Sequence, residues 1–333
     1  MYICNMQKIL IIRFSSIGDI VLTSPVLRVI KTQKPDIKIH FLSKKAYAPV
    51  LENNPHIDHL VLLDDDIQKT IKELRREKYD YIIDLHKNLR TFRIKKALRV
   101  NASSYEKLNW EKWLLVKFSI NNLPHVHIVQ RYFDTVKKIR IRDDGKGLEY
   151  YSGLETEKHI QGLPDDIAQQ FAVIVIGGTY YTKQIPVSKI IELIHIISIP
   201  IVLLGGPEDE KTAKEVETTS PKKIHNTVGK STLNESAEII RRSQFVISGD
   251  TGLMHIAAAY QKKIFSIWGN TVPTFGMYPY MPENPELSTI IENKELKCRP
   301  CSKLGFNECP KQHFECMLKL DFSEIKDYCY QFK

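Results

Sequence analysis

The chain has 333 residues, of which 43% are hydrophobic and 26% are charged. This composition excludes a disordered protein, and the length predicts two domains rather than a single core. Residues 1–150 contain 28 Lys and Arg against 17 Asp and Glu, a net charge of +11, whereas the remainder, with 20 against 22, carries −2. The basic first half predicts an anionic partner, although an excess of solvated surface lysines would explain the same charge.

No segment has the composition of a membrane span, because even the most apolar stretch, residues 190–204, is interrupted by Glu192, His195 and Pro200. The apolar run between Lys8 and Arg13 is too short for the core of a signal peptide. We therefore expect a cytoplasmic protein, in which disulfides are disfavoured.

The first half of the chain alternates strands and helices. Strands are predicted at residues 8–13, 38–42, 59–63 and 79–84, and helices at 20–31 and 67–77. Continuous apolar runs such as residues 9–12 are typical of parallel strands that are buried on both faces. The alternation predicts a doubly wound parallel sheet, which binds its ligands at the carboxyl ends of the strands.

The pattern weakens over residues 100–168, which include a Trp-rich helical stretch. We place the domain boundary in the polar segment 143–162, which predicts domains at 1–158 and 159–333. A second alternating series follows, with strands at 171–176, 200–204, 244–248 and 263–268, and helices at 187–197, 208–216, 233–241 and 253–259. The predicted fold class is α/β, with two Rossmann-like doubly wound domains.

The most informative segment is residues 245–259, where an apolar strand runs into a tight turn and a helix begins at once. Backbone amides and the helix dipole at such a helix start bind anions such as phosphate. Thr251 can cap this helix, and Gly252 lets a phosphate approach the backbone closely. His255 follows one turn later, on the side of Thr251. Taken alone, the segment is more commonly explained as an ordinary capped helix with a core histidine.

Two further polar turns follow predicted strands. Residues 176–186 are rich in glycine and hydroxyl groups, and contain Thr179 and Lys183, whose charge can neutralise a phosphate. Residues 205–211 contain Glu208, a carboxylate able to accept hydrogen bonds from ribose hydroxyls. Three such turns at successive strand ends, the third containing Asp250, predict a nucleotide diphosphate pocket. Neither GxGxxG nor GxxxxGK[ST] occurs, which argues against an ordinary dinucleotide enzyme or P-loop NTPase.

The turn at residues 15–19 follows the first predicted strand and ends in Asp19. A carboxylate there can act as the general base on an acceptor hydroxyl. An aspartate in this position more often caps the following helix, and the residue type alone favours the cap.

Three motifs together resemble glycosyltransferase family 9, the family of lipopolysaccharide core heptosyltransferases. They are Ser15-Ser-Ile-Gly-Asp19, the Gly-Gly-Thr loop that ends in Lys183-x-x-Pro186, and Ser248-Gly-Asp-Thr-Gly-Leu-Met-His255. The resemblance covers nearly the whole chain, and the last motif is the specific one. It implies the GT-B architecture, in which two Rossmann-like domains face a central cleft, with the acceptor in the first and the donor in the second.

The resemblance also implies residue roles and ligands. It makes Asp19 the general base, with Ser16 and Gly18 beside it on the acceptor side. It places the donor against Thr179, Lys183, Glu208, Asp250, Thr251, Gly252 and His255. The donor in characterised relatives is ADP-L-glycero-D-manno-heptose, and the acceptor is Kdo-lipid A or its heptosylated form. It implies no cofactor for catalysis and contact with the inner membrane surface. No nucleic-acid partner is expected, because the sequence has no recognised nucleic-acid-binding motif.

Residues 86–99 contain six Lys and Arg and no acidic residue. Lys87, Arg90 and, less closely, Arg93 fall near one helical face, which predicts recognition of phosphate or carboxylate groups on the acceptor. A solvated helix face is nearly as common an explanation. A nucleic-acid site would also be basic, but no recognised binding motif accompanies the segment.

Four cysteines have the spacing of a tetrahedral zinc site, and we refer to them as the cysteine cluster: Cys298, Cys301, Cys309 and Cys316. In a cytosolic chain, the Cys-x-x-Cys opening favours a metal over disulfides. Relatives carry similar cysteines without needing a metal for the reaction, so structural zinc and plain thiols both stay open. A catalytic zinc is not expected.

The resulting hypothesis is an inverting, metal-independent sugar transfer with Asp19 as base. Because asparagine can still cap a helix, Asp19→Asn is expected to change stability little while removing most turnover. One alternative is a nucleotide-sugar epimerase of GT-B type, which would need no acceptor. Another is a non-catalytic protein that binds nucleotide sugars or nucleic acid, which salt-sensitive binding to random DNA would favour.

Overall fold

The computed structural model describes residues 6–158 and 170–332. The chain divides into two compact units. Unit 1 consists of residues 1–107 and 126–151, and unit 2 consists of residues 108–125 and 152–333. Each unit is built around its own parallel sheet.

Unit 1 alternates strands and helices as the sequence predicts. Its elements are β1 (Lys8–Ile12), α1 (Ile17–Val21), α2 (Ser24–Gln33), β2 (Lys38–Lys44), β3 (His59–Leu63), α3 (Ile67–Arg76), β4 (Tyr81–Asp84), α4 (Leu89–Leu98) and β5 (Asn101–Ser104). The chain then contributes α5 (Asn109–Phe118) to unit 2 and returns as α6 (Ile128–Phe133).

The sheet of unit 1 has the strand order β3-β2-β1-β4-β5, with all neighbours parallel. β1 lies at its centre because its apolar run is buried on both faces, with Ile9 to Ile12 fully buried. The single helix predicted at residues 20–31 is two helices. α1 ends at Val21 and α2 starts after Thr23, with Pro25 in its first turn, where proline is well tolerated.

Unit 2 continues with α7 (Leu154–Lys158), β6 (Ala172–Val175), α8 (Val187–Ile196), β7 (Ile201–Leu204), α9 (Glu210–Thr219), β8 (Ile224–Asn226), α10 (Leu233–Arg242), β9 (Phe245–Gly249), α11 (Gly252–Ala259), β10 (Lys263–Trp268), β11 (Ser288–Glu292), α12 (Glu315–Leu318) and α13 (Ser323–Cys329). Its sheet has the order β11-β10-β9-β6-β7-β8, again parallel throughout. The core packs α8, α9 and α13 against the sheet through aliphatic side chains such as Ile190, Val216 and Ile325.

Both sheets therefore bring the ends of several strands to one edge, which is where the sequence places its polar turns. Within the part of the chain that the structure describes, no helix is both long enough and apolar enough to cross a bilayer.

Candidate active site

In unit 1 the predicted site residues lie at the carboxyl ends of β1 and β4. These strands are neighbours at the point where the strand order reverses, and doubly wound sheets bind their ligands at this switch point. The loop after β1 leads into α1, whose N-terminal cap is Ser16. The loop after β4 contains His86 and Lys87 and leads into α4.

Asp19 lies in the first turn of α1 and does cap the helix. Its Oδ2 accepts hydrogen bonds from the amide of Ser16 at 3.3 Å and from the Ser16 hydroxyl at 3.0 Å. The guanidinium of Arg13 lies 2.6 Å from the same oxygen. Among the described residues no hydrogen bond reaches Oδ1, and the side chain is 19% exposed. Capping therefore uses one oxygen and leaves the other for the hydroxyl of a ligand.

The charge on Asp19 is held by its neighbours. Burial disfavours the ionised form, but the Arg13 charge and the Ser16 hydrogen bonds outweigh it and lower the pKa of this carboxyl below its ordinary value. Arg13 is itself held, because it donates to the carbonyls of Ser15 at 2.7 Å and Leu85 at 2.5 Å. The result is a carboxylate that is ionised and fixed in orientation. Sequence reasoning missed Arg13, which stands at the end of β1 with no local signal of its partner.

His86 is a second residue that sequence reasoning missed. Its ring packs against Phe14 at 4.8 Å between centroids, and its buried Nδ1 has no hydrogen-bond partner among the described residues. Burial and the positive charges of Arg13 and Lys107 lower the pKa of His86 to about 4, so the imidazole is neutral at physiological pH. A neutral imidazole can both donate and accept a hydrogen bond, which suits contact with a sugar hydroxyl.

The predicted acceptor residues around this edge differ in exposure. Ser16 is exposed, whereas Gly18 is buried within α1. Lys87, Arg90 and Arg93 are all exposed, and none of them forms an ion pair within the described ranges 6–158 and 170–332. The basic side chains are thus at the surface and available to an anion.

In unit 2 the three predicted polar turns follow β6, β7 and β9, which are adjacent strands of the sheet. Lys183 in the first turn contacts Asp250 in the third, with 2.5 Å between the ammonium and Oδ2. Thr271, which follows β10, donates to the same oxygen at 3.2 Å. The fold therefore joins residues 67 positions apart into one charged cluster at the edge of the sheet.

Glycine is required where the turns approach each other. A Cβ at Gly249 would lie 2.6 Å from the carbonyl oxygen of Lys183, and one at Gly177 would lie 2.4 Å from the carboxylate of Asp209. At Gly249 the neighbour is backbone, so any larger residue would push the two turns apart, whereas at Gly177 the carboxylate of Asp209 would have to move. The glycines seen in the sequence thus serve close packing of the three turns as well as any approach of a ligand.

The other predicted donor residues lie on the same edge with unequal access. Thr251 caps α11 through a hydrogen bond from the Met254 amide at 3.4 Å, and Gly252 begins the helix. Thr179 and Glu208 are exposed, whereas His255 is only 2% exposed inside α11.

Asn270, in the turn after β10, is a further residue that was not singled out in the sequence. Its side chain is fully buried, and neither polar atom of the carboxamide has a partner among the described residues. Leaving such a group unsatisfied costs about 1–3 kcal/mol, so a buried amide without partners marks a candidate binding position. The residue adjoins Thr271, which contacts the charged cluster, and so belongs to the same edge.

The cysteine cluster does not support structural zinc. The Cys298 sulfur lies 3.9 Å from Nε2 of His313. In the described portion of the chain, no three His, Cys, Asp or Glu side chains are grouped so as to hold a metal ion. The cysteine spacing left structural zinc and plain thiols both open, and the arrangement of the described side chains does not support the zinc.

Comparison with known proteins agrees with this arrangement. Residues 67–307 match the model of the family described as glycosyltransferase family 9 (heptosyltransferase). The chain is 24% identical to lipooligosaccharide heptosyltransferase 2 of Haemophilus influenzae, covering 90% of this chain and 93% of the relative. It is also 24% identical to lipopolysaccharide heptosyltransferase 3 of Escherichia coli K12, covering 81% and 88%.

Solved structures of the same family have the same fold. The glycosyltransferase family 9 protein of Veillonella parvula superposes with a TM-score of 0.71 at 22% identity, covering 87% of this chain and 86% of that one. The E. coli heptosyltransferase WaaC, solved with ADP, gives a TM-score of 0.67 at 20% identity, covering 97% and 99%. The predicted GT-B fold class is therefore confirmed. Because the family model spans most of the sequence, the chain belongs to glycosyltransferase family 9, the heptosyltransferase family, and is a glycosyltransferase.

Proposed function

We propose that this protein transfers a heptose from ADP-heptose to the inner core of a lipopolysaccharide, with inversion at the anomeric carbon. Membership of the heptosyltransferase family supports the sugar. A structural neighbour solved with ADP-2-deoxy-2-fluoro heptose supports the nucleotide, and curated relatives named for lipopolysaccharide or lipooligosaccharide support the acceptor. The observation that carries the donor site is the contact of Lys183 with Asp250 among three polar turns on one edge of unit 2.

In the proposed reaction Asp19 is the general base. Its free Oδ1 takes the proton of the acceptor hydroxyl as the hydroxyl oxygen attacks the anomeric carbon. The bond from that carbon to the diphosphate breaks, and ADP leaves with the electron pair. A single displacement of this kind inverts the configuration. The lowered pKa of Asp19 supports this role, because it keeps the base ionised at every physiological pH.

The departing diphosphate carries the negative charge that develops in the transition state. We assign its stabilisation to Lys183 and to the backbone amides at the start of α11, near Thr251 and Gly252. Thr179, Glu208 and His255 complete the donor site in this proposal. Fixed positive groups of this kind can replace a metal ion, so transfer is expected to continue in the presence of a chelator.

The acceptor binds to unit 1 in this proposal. Lys87, Arg90 and Arg93 face its anionic groups, and Ser16 and Gly18 belong to the turn that holds the base. The charge of +11 over residues 1–150 supports an anionic acceptor. Since Kdo-lipid A is anchored in a bilayer, we further propose that the protein works in peripheral contact with the inner face of the cytoplasmic membrane.

Mass spectrometry of acceptor products tests the function. The purified protein is incubated with Kdo-lipid A and with ADP-heptose, ADP-glucose, UDP-glucose or GDP-mannose in turn. Of the four donors, we expect only ADP-heptose to add the mass of one heptose to the acceptor. The Lys183→Ala variant should add no sugar from any of them. Transfer from a different nucleotide sugar, with none from ADP-heptose, would refute the assigned donor. Conversion of the donor in a reaction without acceptor would instead favour an epimerase.

A further inference from the structure

Helix α4 exposes apolar side chains on the face that points away from its own sheet. Thr91 and Ile94 are buried against unit 1, whereas Leu89 is 68% exposed and Phe92 is 56% exposed. At 3.6 residues per turn, these two apolar residues share one side of the helix with Arg93 and Lys96. We refer to this exposed side as the outer face of α4: Leu89, Arg90, Phe92, Arg93, Lys96 and Arg99.

The charge on the outer face is uniformly positive. Besides the apolar pair it carries Arg90, Arg93, Lys96 and Arg99, all exposed, and no Asp or Glu occurs between residues 85 and 105. None of the four cations has an ion-pair partner within the described residues. The neighbouring Lys95 differs, because it turns inward and pairs with Asp84 at 2.7 Å.

The extent of this surface exceeds what one soluble anion requires. With a rise of about 1.5 Å per residue, the cations from Arg90 to Arg99 span roughly 14 Å along the helix. A single phosphate is held by two or three side chains, and exposed Leu89 and Phe92 contribute nothing to its binding. A bilayer with anionic headgroups uses both features, since cations gain from the surface potential and apolar side chains gain from entering the interface.

We propose that the outer face of α4 docks on an anionic bilayer surface, with Leu89 and Phe92 inserted at the level of the headgroups. This inference deepens and rests on the proposed function, because a lipid-anchored acceptor must be reached at a bilayer. In this proposal Arg90 and Arg93 lie close to both the membrane and the acceptor. Lys96, Arg99 and the apolar pair contact only the lipid.

Another helix, α5, also exposes apolar side chains and is the main rival. Trp110 is 64% exposed and Trp113 is 37% exposed, and their rings stack at 4.8 Å. Its charges are less suited to an anionic surface, because Glu111 lies between the two tryptophans and the ammonium of Lys112 sits over the ring of Phe275. Charge complementarity therefore favours α4.

Vesicle flotation with the full-length protein tests the proposal. One set of vesicles contains equal parts of phosphatidylglycerol and phosphatidylcholine, and the other contains phosphatidylcholine alone; neither contains lipopolysaccharide or donor. We expect binding to the anionic set that falls steeply with salt, as the Debye length shrinks from about 10 Å at 0.1 M to about 3 Å at 1 M. Equal binding to both sets would overturn the proposal.

Variants locate the docking surface. Lys96→Glu changes the charge by two, and at about 1 kcal/mol per charge its binding should weaken roughly 30-fold. Leu89→Ser combined with Phe92→Ser should weaken it at least about tenfold. The matched controls Lys138→Glu and Leu154→Ser change an exposed lysine and an exposed leucine elsewhere, and should bind as the wild type does.

Three results would overturn the assignment. One is unchanged vesicle binding in both α4 variants, and another is loss of binding in Trp110→Ser while the α4 variants still bind. The third is a wild-type dimer, seen by light scattering, that the α4 variants do not form, since the outer face of α4 would then bind a second copy of the chain.

Transfer to a delipidated, water-soluble acceptor should stay within about twofold of wild type in both α4 variants. Because flotation needs neither donor nor acceptor, failure of the docking surface and failure of the proposed function are separately visible.

Discussion

Replacing Asp19 by asparagine tests the proposed general base, and the structure changes what this substitution should do to stability. From the sequence alone, Asp19 is a helix cap, and asparagine could cap the helix in its place. In the structure the same carboxylate also neutralises Arg13, whose side chain is only 7% exposed. The variant therefore leaves a buried guanidinium without its counter-charge.

The expected loss of stability follows from these contacts. Breaking a buried ion pair by removing one partner costs about 3–5 kcal/mol. Arg13 keeps its hydrogen bonds to the carbonyls of Ser15 and Leu85, and the asparagine oxygen can still accept from Ser16. We therefore expect a smaller loss, about 1–3 kcal/mol at neutral pH.

The loss should also depend on pH. The pKa of Asp19 is lowered in the folded protein, so its contribution to stability is complete above the unfolded pKa of about 3.9. It disappears as the pH falls through the lower folded value. The difference in unfolding free energy between wild type and Asp19→Asn should therefore be constant near neutral pH and shrink below about pH 4.

Turnover distinguishes the base from a purely structural residue. Loss of a general base lowers kcat by about 10²–10⁴-fold, while ADP affinity, measured by calorimetry, should stay unchanged. Asp144→Asn is the matched control, because Asp144 is 21% exposed and pairs with Arg28, which is 9% exposed, through bonds of 2.8 and 2.9 Å. Because Arg28 keeps a second carboxylate, Glu149, at 3.4 Å, the control should lose no more stability than Asp19→Asn, and it should keep its turnover. A folded Asp19→Asn protein with near-normal kcat would refute the mechanism.

Three further predictions concern the remaining site residues. Lys183→Ala and Asp250→Ala should each weaken ADP binding in calorimetry. Because the two side chains are in contact, the double variant should lose less ADP-binding free energy than the sum of the two single losses. Wild-type ADP affinity in both single variants would show that these residues are not part of the donor site. Reversing Arg90 and Arg93 to Glu should raise the acceptor KM and leave ADP affinity unchanged, whereas a change in ADP affinity alone would contradict the assignment of the acceptor to unit 1. His86, whose pKa is lowered to about 4, remains neutral in the folded state while the unfolded chain takes up a proton near pH 6.5. Wild-type stability should therefore fall between about pH 6.5 and 4, by no more than about 3 kcal/mol from this residue, and His86→Gln should flatten that decline in chemical denaturation.

The fold class and the family could both be predicted from local patterns along the chain. Apolar runs such as residues 9–12 are typical of strands in the middle of a parallel sheet, and the polar turns that follow them indicate the ligand edge. Those signals are local, since a strand, the turn after it and the cap of the next helix lie within about fifteen residues. The specific turn from Ser248 to His255, supported by the turn that ends in Asp19 and the loop that ends at Pro186, therefore indicated the family, which the comparison confirmed.

Elements with weak local signals could not be predicted, because they form through contacts that are distant along the chain. The short edge strands β5, β8 and β11 were not predicted, because a strand such as Asn101–Ser104 has no apolar run and forms by pairing with β4. Residues 108–125 pack with unit 2 although they lie between two segments of unit 1, through contacts of Leu115 and Leu123 with Phe275 that no local pattern specifies.

The electrostatic partners of the site were also beyond the sequence. Arg13 and Asp19 are close in the chain, but nothing local shows that the arginine turns back to the carboxylate or that His86, from the next strand of the sheet, lies beside Phe14. Lys183 and Asp250 meet because β6 and β9 are neighbours in the sheet. In the cysteine cluster, by contrast, the sequence suggested a contact that the fold does not make. Its spacing is compatible with zinc, but the described side chains form no group that could hold a metal ion. Spacing along a chain constrains which groups can meet, but burial, charge and the order of strands decide which of them do.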